Sequence, residues 1–146
     1  MAMLEKAVSI AATAHAGQKD KAGEPYILHP IRVMLRVNTE EERIVAVLHD
    51  VVEDSEISLD DLRDEGFYEA IVNAVDALTK RPGETRLDAA ARAAADPIAI
   101  NVKLADNAEN MDLARIAEPT EKDFARMEEY KKVRELLISR KNADKN

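Results

Sequence analysis

The chain has no cysteine. That excludes a disulfide scaffold and thiolate-bound zinc, and it fits a reducing cytoplasm. Aromatic residues amount to only 3%, against 46% hydrophobic residues overall. The composition is that of a globular chain rather than a disordered one. Its core must be built from Ala, Leu, Ile and Val, which favours packed helices. No apolar run approaches the roughly 20 residues that span a bilayer, so no membrane partner is expected. The first residues, Met1 to Lys6, lack the basic region and long apolar core of a signal peptide. Positive charge is also scarce: 21 Lys and Arg stand against 29 Asp and Glu, a net charge of −8. A nucleic-acid partner is therefore not expected, because phosphate neutralisation by a basic face supplies most non-specific affinity. An anionic ligand would have to be met by a local basic cluster or by a metal. A length of 146 residues allows one domain with a sizeable core.

Helical periodicity runs through most of the chain. Leu4, Ala7, Val8, Ala11, Ala12 and His15 recur at helical spacing over 3–16, with Gly17 as a stop. A loop over 18–25 leads to a helix over 26–37, with Pro30 near its first turn. Three segments open with capping-box patterns: Thr39 to Glu42, Ser58 to Asp61 and Thr85 to Asp88. The first box starts a helix predicted to continue through His49 to about Val52. A helix over 67–78 turns Ala70, Ile71, Ala74, Val75 and Leu78 inward, and Phe67, Tyr68 and Met111 are expected in the core. Asp96 and Pro97 start a helix expected to end near Ile116. Thr120 opens a last helix to about Arg140, mostly a solvated charged face, and 141–146 is expected to fray. The expectation is an all-α single domain, residues 1–146, of about eight helices.

The chemistry concentrates in Val47 to Asp54, where an apolar run carries His49 and Asp50 and then Glu53 and Asp54. On one continuous helix His49 would stand above Glu53 and Asp50 above Asp54, because residues four apart share a face. Unpaired carboxylates beside apolar residues are costly, and a divalent metal is the simplest compensation. His29 and Asp106 bring the donors to two imidazoles and two carboxylates, a set suited to Mn, Fe, Zn or another divalent transition metal.

Four blocks occur in order. They are His-x-Gly-Gln at His15 to Gln18, Gly-Glu-Pro-Tyr-Ile-x-His-Pro at Gly23 to Pro30, His-Asp-x-x-Glu-Asp at His49 to Asp54, and Lys-Leu-Ala-Asp at Lys103 to Asp106. The arrangement resembles the HD phosphohydrolase superfamily, and within it the hydrolase domain of RelA/SpoT-type alarmone enzymes in the small stand-alone form. The resemblance implies an HD-type helical domain acting as a metal-dependent nucleotide pyrophosphohydrolase. It would remove the 3′-pyrophosphate of ppGpp-like alarmones, giving GDP and pyrophosphate. It implies metal ligation by His29, His49, Asp50 and Asp106, Glu53 and Asp54 as the catalytic pair, and Mn2+ as the cofactor. Lys21 and Asn110 match substrate-binding positions of the family, and Lys80, Arg81 and Arg92 are further candidates for phosphate. The expected partner is a small nucleotide in the cytoplasm, with an oligomer allowed.

Two positions depart from the family pattern. Asp20 replaces a frequent arginine, and Asn107-Ala-Glu-Asn110 replaces Arg-Leu-His-Asn. Both remove positive or stacking groups near the expected nucleoside. A broader nucleotide phosphohydrolase, taking adenine alarmones or NADPH, therefore stands beside the ppGpp reading. So does a metal-stabilised nucleotide-binding module without catalysis.

Overall fold

The structure, a computed structural model, describes residues 3–112 and 118–143. Among these residues it forms nine helices and no strand: α1 (Met3–Ala14), α2 (Leu28–Leu35), α3 (Glu40–Leu48), α4 (Val51–Asp54), α5 (Leu59–Asp64), α6 (Glu69–Leu78), α7 (Arg86–Ala94), α8 (Ala99–Asn110) and α9 (Glu121–Ala143). The ninth helix arises at the one place where a continuous helix was expected to matter most. The helix begun at Thr39 stops at Leu48, and the chain turns at His49 and Asp50 before α4 begins. The Asp54 N–H still bonds to the Asp50 carbonyl at 3.0 Å, so Asp50 and Asp54 remain one helical turn apart across the break.

Local signals account for most of the boundaries. All three capping boxes form with both reciprocal bonds, at Thr39/Glu42, Ser58/Asp61 and Thr85/Asp88. Each such cap contributes about 1 kcal/mol. Asp96 Oδ1 accepts the Ile98 and Ala99 N–H groups at 2.9 and 2.8 Å, so it caps α8 from outside the helix. After α1, Gly17 takes φ +81°, which a side chain would strain, and this turns His15 inward and starts the loop to α2.

The core is organised around α3. Ile44, Val45, Ala46, Val47 and Leu48 are all buried, so the C-terminal half of this helix is enclosed on every side. It packs against α1, α2, α6 and α8. Helix α1 offers Ala7 and Ala11, both at 0% exposure, which lets it lie close against this hub. Glu42 fastens α3 to α8, since Asn101 Nδ2 donates to its Oε2 at 2.6 Å. A second, smaller cluster of Ala90, Ala94, Ile100, Val133 and Leu137 seats α9 on α7 and α8. The charged pattern of α9 is therefore a solvated face with an apolar stripe beneath it.

Several expectations change. Ala12, Ala70 and Tyr68 face solvent, Tyr68 at 71% exposure, and Met111 is half-buried, whereas Phe67 is buried in the core. Helix α8 ends at Asn110, and the expected end near Ile116 lies outside the described residues. Helix α9 continues through Lys141 to Ala143, where fraying was expected, and 144–146 lies outside the described residues.

Candidate metal centre

Three helix ends and one helix interior supply the donors. His29 is the second residue of α2, His49 follows the last turn of α3, Asp50 precedes α4, and Asp106 projects from the middle of α8. One ligand atom each from His29, His49 and Asp50 lies within 4.8 Å of the others. Asp106 closes the group from α8: its Oδ1 is 2.8 Å from His29 Nε2 and 3.4 Å from His49 Nε2. His49 and Asp50 stand at the turn between α3 and α4, with His49 Nε2 3.1 Å from Asp50 Oδ2.

The donors fit a divalent cation. His49 Nδ1 is 2.5 Å from the Ala46 carbonyl oxygen, which only accepts, so Nδ1 carries the proton and Nε2 is left with a lone pair. That Nε2 is buried and makes no hydrogen bond, although Asp50 Oδ2 is only 3.1 Å away. His29 Nε2, by contrast, is hydrogen-bonded to Asp106 Oδ1 at 2.8 Å, and all of these donors converge on one point as ligands around a common centre do. The charges agree. Burial pushes the His49 imidazole down, but Asp50 and Asp106 outweigh it and raise its pKa well above the ordinary value. Burial likewise pushes Asp50 up, yet His49 and the Tyr26 phenol hold it at about 2. Asp106 is held well below the usual range against its burial by Lys103, His29 and His49. The two carboxylates are therefore ionised, with His49 and Lys103 as the cationic groups facing them.

Tyr26 is a residue that sequence reasoning passed over. Its hydroxyl donates to Asp50 Oδ2, and burial and that carboxylate push the phenol up, so it remains a donor. The signal was its position one turn before His29. Its ring bridges those of His15 and His29, with centroids 4.9 and 5.6 Å away.

Glu53 and Asp54 stand on α4 beside this centre, each held by a different loop. Glu53 Oε1 accepts the Lys80 backbone N–H at 2.8 Å. Burial pushes its carboxyl up, the Lys80 N–H opposes this, and the charges of Asp50 and Asp54 push it up further, so the net shift is upward. Asp54 Oδ2 accepts from Gln18 Nε2 at 3.3 Å, and Gln18 Oε1 is 2.9 Å from His15 Nδ1. His15, fully buried, thereby supports Gln18, which agrees with a structural role for it.

A cleft of about 390 Å3 opens over Asp50 and Asp106, within the usual range for small-ligand sites. Lys21 and Asn110 line it, and Asn110 Nδ2 donates to Asp106 Oδ1 at 3.3 Å. Helix α9 contributes Asp123, Arg126 and Tyr130 to its wall, which the charged pattern of that helix did not reveal. Lys80 and Arg81 are not part of this wall. They lie on the α6–α7 loop, where Lys80 meets Glu53 through its main chain and Arg81 is 3.7 Å from Asp76. Arg92 is not free for phosphate: it donates to the carbonyls of Asp76, Ala77 and Thr79 and to Glu84, and so ties that loop together. Asp20 also has structural work, accepting the Ala22 and Glu24 N–H groups at 2.9 and 3.0 Å and so shaping the loop that carries Lys21.

The HD-domain family profile matches residues 7–130. The chain belongs to the HD-domain family. Among relatives, this HD domain is 34% identical over 147 residues to a GTP pyrophosphokinase of Streptomyces coelicolor, covering 92% of this chain and 16% of that protein. It is 32% identical over 120 residues to a guanosine-3′,5′-bis(diphosphate) 3′-pyrophosphohydrolase of Aquifex aeolicus, covering 74% of this chain and 17% of that protein. The chain thus spans about a sixth of the length of these curated relatives. Among solved structures, a metazoan ortholog of SpoT that hydrolyses ppGpp matches with a TM-score of 0.75 and 25% identity, covering 92% of this chain and 84% of that one.

Proposed function

We propose that this HD domain is a metal-dependent nucleotide pyrophosphohydrolase that removes the 3′-pyrophosphate of ppGpp-like alarmones in the cytoplasm. The observation that carries the reading is the meeting of His29, His49, Asp50 and Asp106 at one point beside Glu53 and Asp54. The SpoT ortholog, similar over 84% of its length, gives the substrate class.

His29, His49, Asp50 and Asp106 would hold a divalent cation, and the family resemblance points to Mn2+ among the metals that mixed nitrogen and oxygen donors suit. A bound divalent ion supplies Lewis-acid polarisation of a phosphate oxygen and acidification of water. The chain's own residues do the rest. Glu53, with its raised carboxyl, accepts the proton of the attacking water, and Asp54, steadied by Gln18, orients that water. Water adds to the phosphorus bonded to the 3′ oxygen, the bond to that oxygen breaks, and the oxygen takes up a proton as pyrophosphate is released. Lys21 and Asn110 hold the nucleotide in the cleft. Lys80 and Arg81 meet phosphates approaching from the α6–α7 loop.

The base is less constrained than the phosphates. Asp20, Glu109 and Asp112 line the cleft, and carboxylates accept from amino groups of either purine. Adenine alarmones and NADPH are therefore the second substrate reading. The test is a panel of ppGpp, pppGpp, ppApp and NADPH with Mn2+, assayed for pyrophosphate and orthophosphate. Pyrophosphate release from ppGpp, abolished by chelator, is expected. No turnover of any member with any divalent metal would overturn the proposal.

A further inference from the structure

A second, smaller cavity lies behind Asp106. Its volume is about 140 Å3, and it shares Asp106, Asn110 and Tyr130 with the main cleft. That is roughly a third of the volume of the main cleft, which suits a small anionic group. Its charge is opposite to that of the main cleft. Where the cleft carries Asp20, Glu109 and Asp112, the side cavity brings in two cations, Arg86 from α7 and Lys103 from α8.

Each cation already faces one carboxylate. Lys103 Nζ is 3.4 Å from Asp106 Oδ2, a carboxylate that the metal centre also claims. The Arg86 guanidinium lies 4.8 Å over the Tyr130 ring, which fixes its plane against α9. Its ion pair with Glu129, at 3.1 Å, is on the surface and half exposed, so it holds the guanidinium weakly. Asn107, also in the wall and almost fully buried, donates through Nδ2 to the Tyr130 carbonyl, which leaves its Oδ1 with no hydrogen-bond partner. The cavity is thus polar, carries two cations beside the Asp106 carboxylate, and adjoins the metal centre through that residue.

We infer that Arg86 and Lys103 form a subsite for the distal phosphate of the diphosphate being hydrolysed. The inference rests on the pyrophosphohydrolase reading for the identity of that diphosphate. The phosphorus attached to the 3′ oxygen lies at the metal centre, and the outer phosphate enters the side cavity, where a planar guanidinium and an ammonium meet its oxygens. The subsite makes the domain select a diphosphate over a monophosphate at the reacting position, and it retains pyrophosphate until the nucleoside product has left.

The test is calorimetric titration of the manganese-loaded protein with inorganic pyrophosphate and, separately, with orthophosphate, with metal content measured at the end. Wild type is expected to bind pyrophosphate more tightly than orthophosphate. Arg86→Gln and Lys103→Met should each weaken pyrophosphate at least tenfold with metal retained. Glu129→Gln removes the Arg86 ion pair but keeps the guanidinium, so it should leave pyrophosphate affinity equal or tighter. Unchanged affinity in Arg86→Gln and Lys103→Met would overturn the subsite, as would equal loss in Glu129→Gln and Arg86→Gln, or no binding to wild type. Pyrophosphate binding that depends on Arg86 and Lys103 in a protein that turns over no alarmone would support the subsite while overturning the hydrolase reading.

Discussion

His29 and Asp106, 77 positions apart, meet with Nε2 and Oδ1 at 2.8 Å in the interior of the protein. The contact joins α2 to α8 across the end of α3, and His49 approaches the same carboxylate oxygen at 3.4 Å. Two buried imidazoles share one carboxylate oxygen, so the loss of any of the three residues changes the charge balance of the whole centre.

Removing a ligand should therefore remove the metal. Manganese is expected to raise the melting temperature of wild type, because a ligand that binds only the folded state stabilises it by mass action. Asp50→Ala and His49→Ala should show no such rise and no stoichiometric metal by elemental analysis. An Asp50→Ala protein that keeps one equivalent of metal would show that the ligand assignment is wrong.

Glu53→Gln combined with Asp54→Asn keeps size and removes basicity. Turnover should fall by about two to four orders of magnitude, the scale of losing a general base. The loss is expected in kcat more than in KM, with metal content unchanged because the four ligands remain. Near-normal turnover in the metal-loaded double variant would place the base elsewhere.

Gln18 is expected to act through Asp54. Gln18→Leu breaks both the 3.3 Å bond to Asp54 and the 2.9 Å contact with His15. A hydrogen bond of this kind contributes about 1 kcal/mol, so kcat should drop about five- to tenfold while manganese stays bound. Gln18→Asn should recover little of it, since its amide is one methylene short of Asp54. Wild-type kinetics in Gln18→Leu would mean that Asp54 is positioned by α4 alone.

Acid stability should depend on Glu42. Burial pushes its carboxyl up, but the Asn101 side chain and the Thr39 and Asn38 N–H groups prevail and leave it below the ordinary value of 4.5. A carboxyl lowered by folding adds stability above its unfolded pKa, and this is lost as pH falls through the folded one. Denaturant midpoints of wild type should thus decline below about pH 4.5. Glu42→Gln should be less stable than wild type at pH 7, and the gap should narrow towards pH 3. A constant gap between pH 7 and pH 3 would remove Glu42 from the acid transition.

Much of this protein was written locally in the sequence. The boxes at Thr39, Ser58 and Thr85 name their own helix starts, because a cap needs only residues three apart. The run Ile44 to Leu48 marks a central helix, since no solvated helix has five apolar residues in succession. The donor types at His29, His49, Asp50 and Asp106 were legible for a similar reason: buried unpaired carboxylates need a counter-charge wherever the fold puts them. What the sequence could not carry was direction. Periodicity ran α3 straight through His49, whereas the tertiary structure breaks it there. At the break His49 meets Asp50 and, from α8, Asp106. Periodicity records which residues are apolar, and nothing in it records where the ends of two other helices arrive. The same limit hid Tyr26 behind Asp50, the withdrawal of Arg92 into its loop, and the cavity that α9 closes over Arg86 and Lys103. Each depends on side chains meeting from elements far apart in the chain, and packing alone decides that.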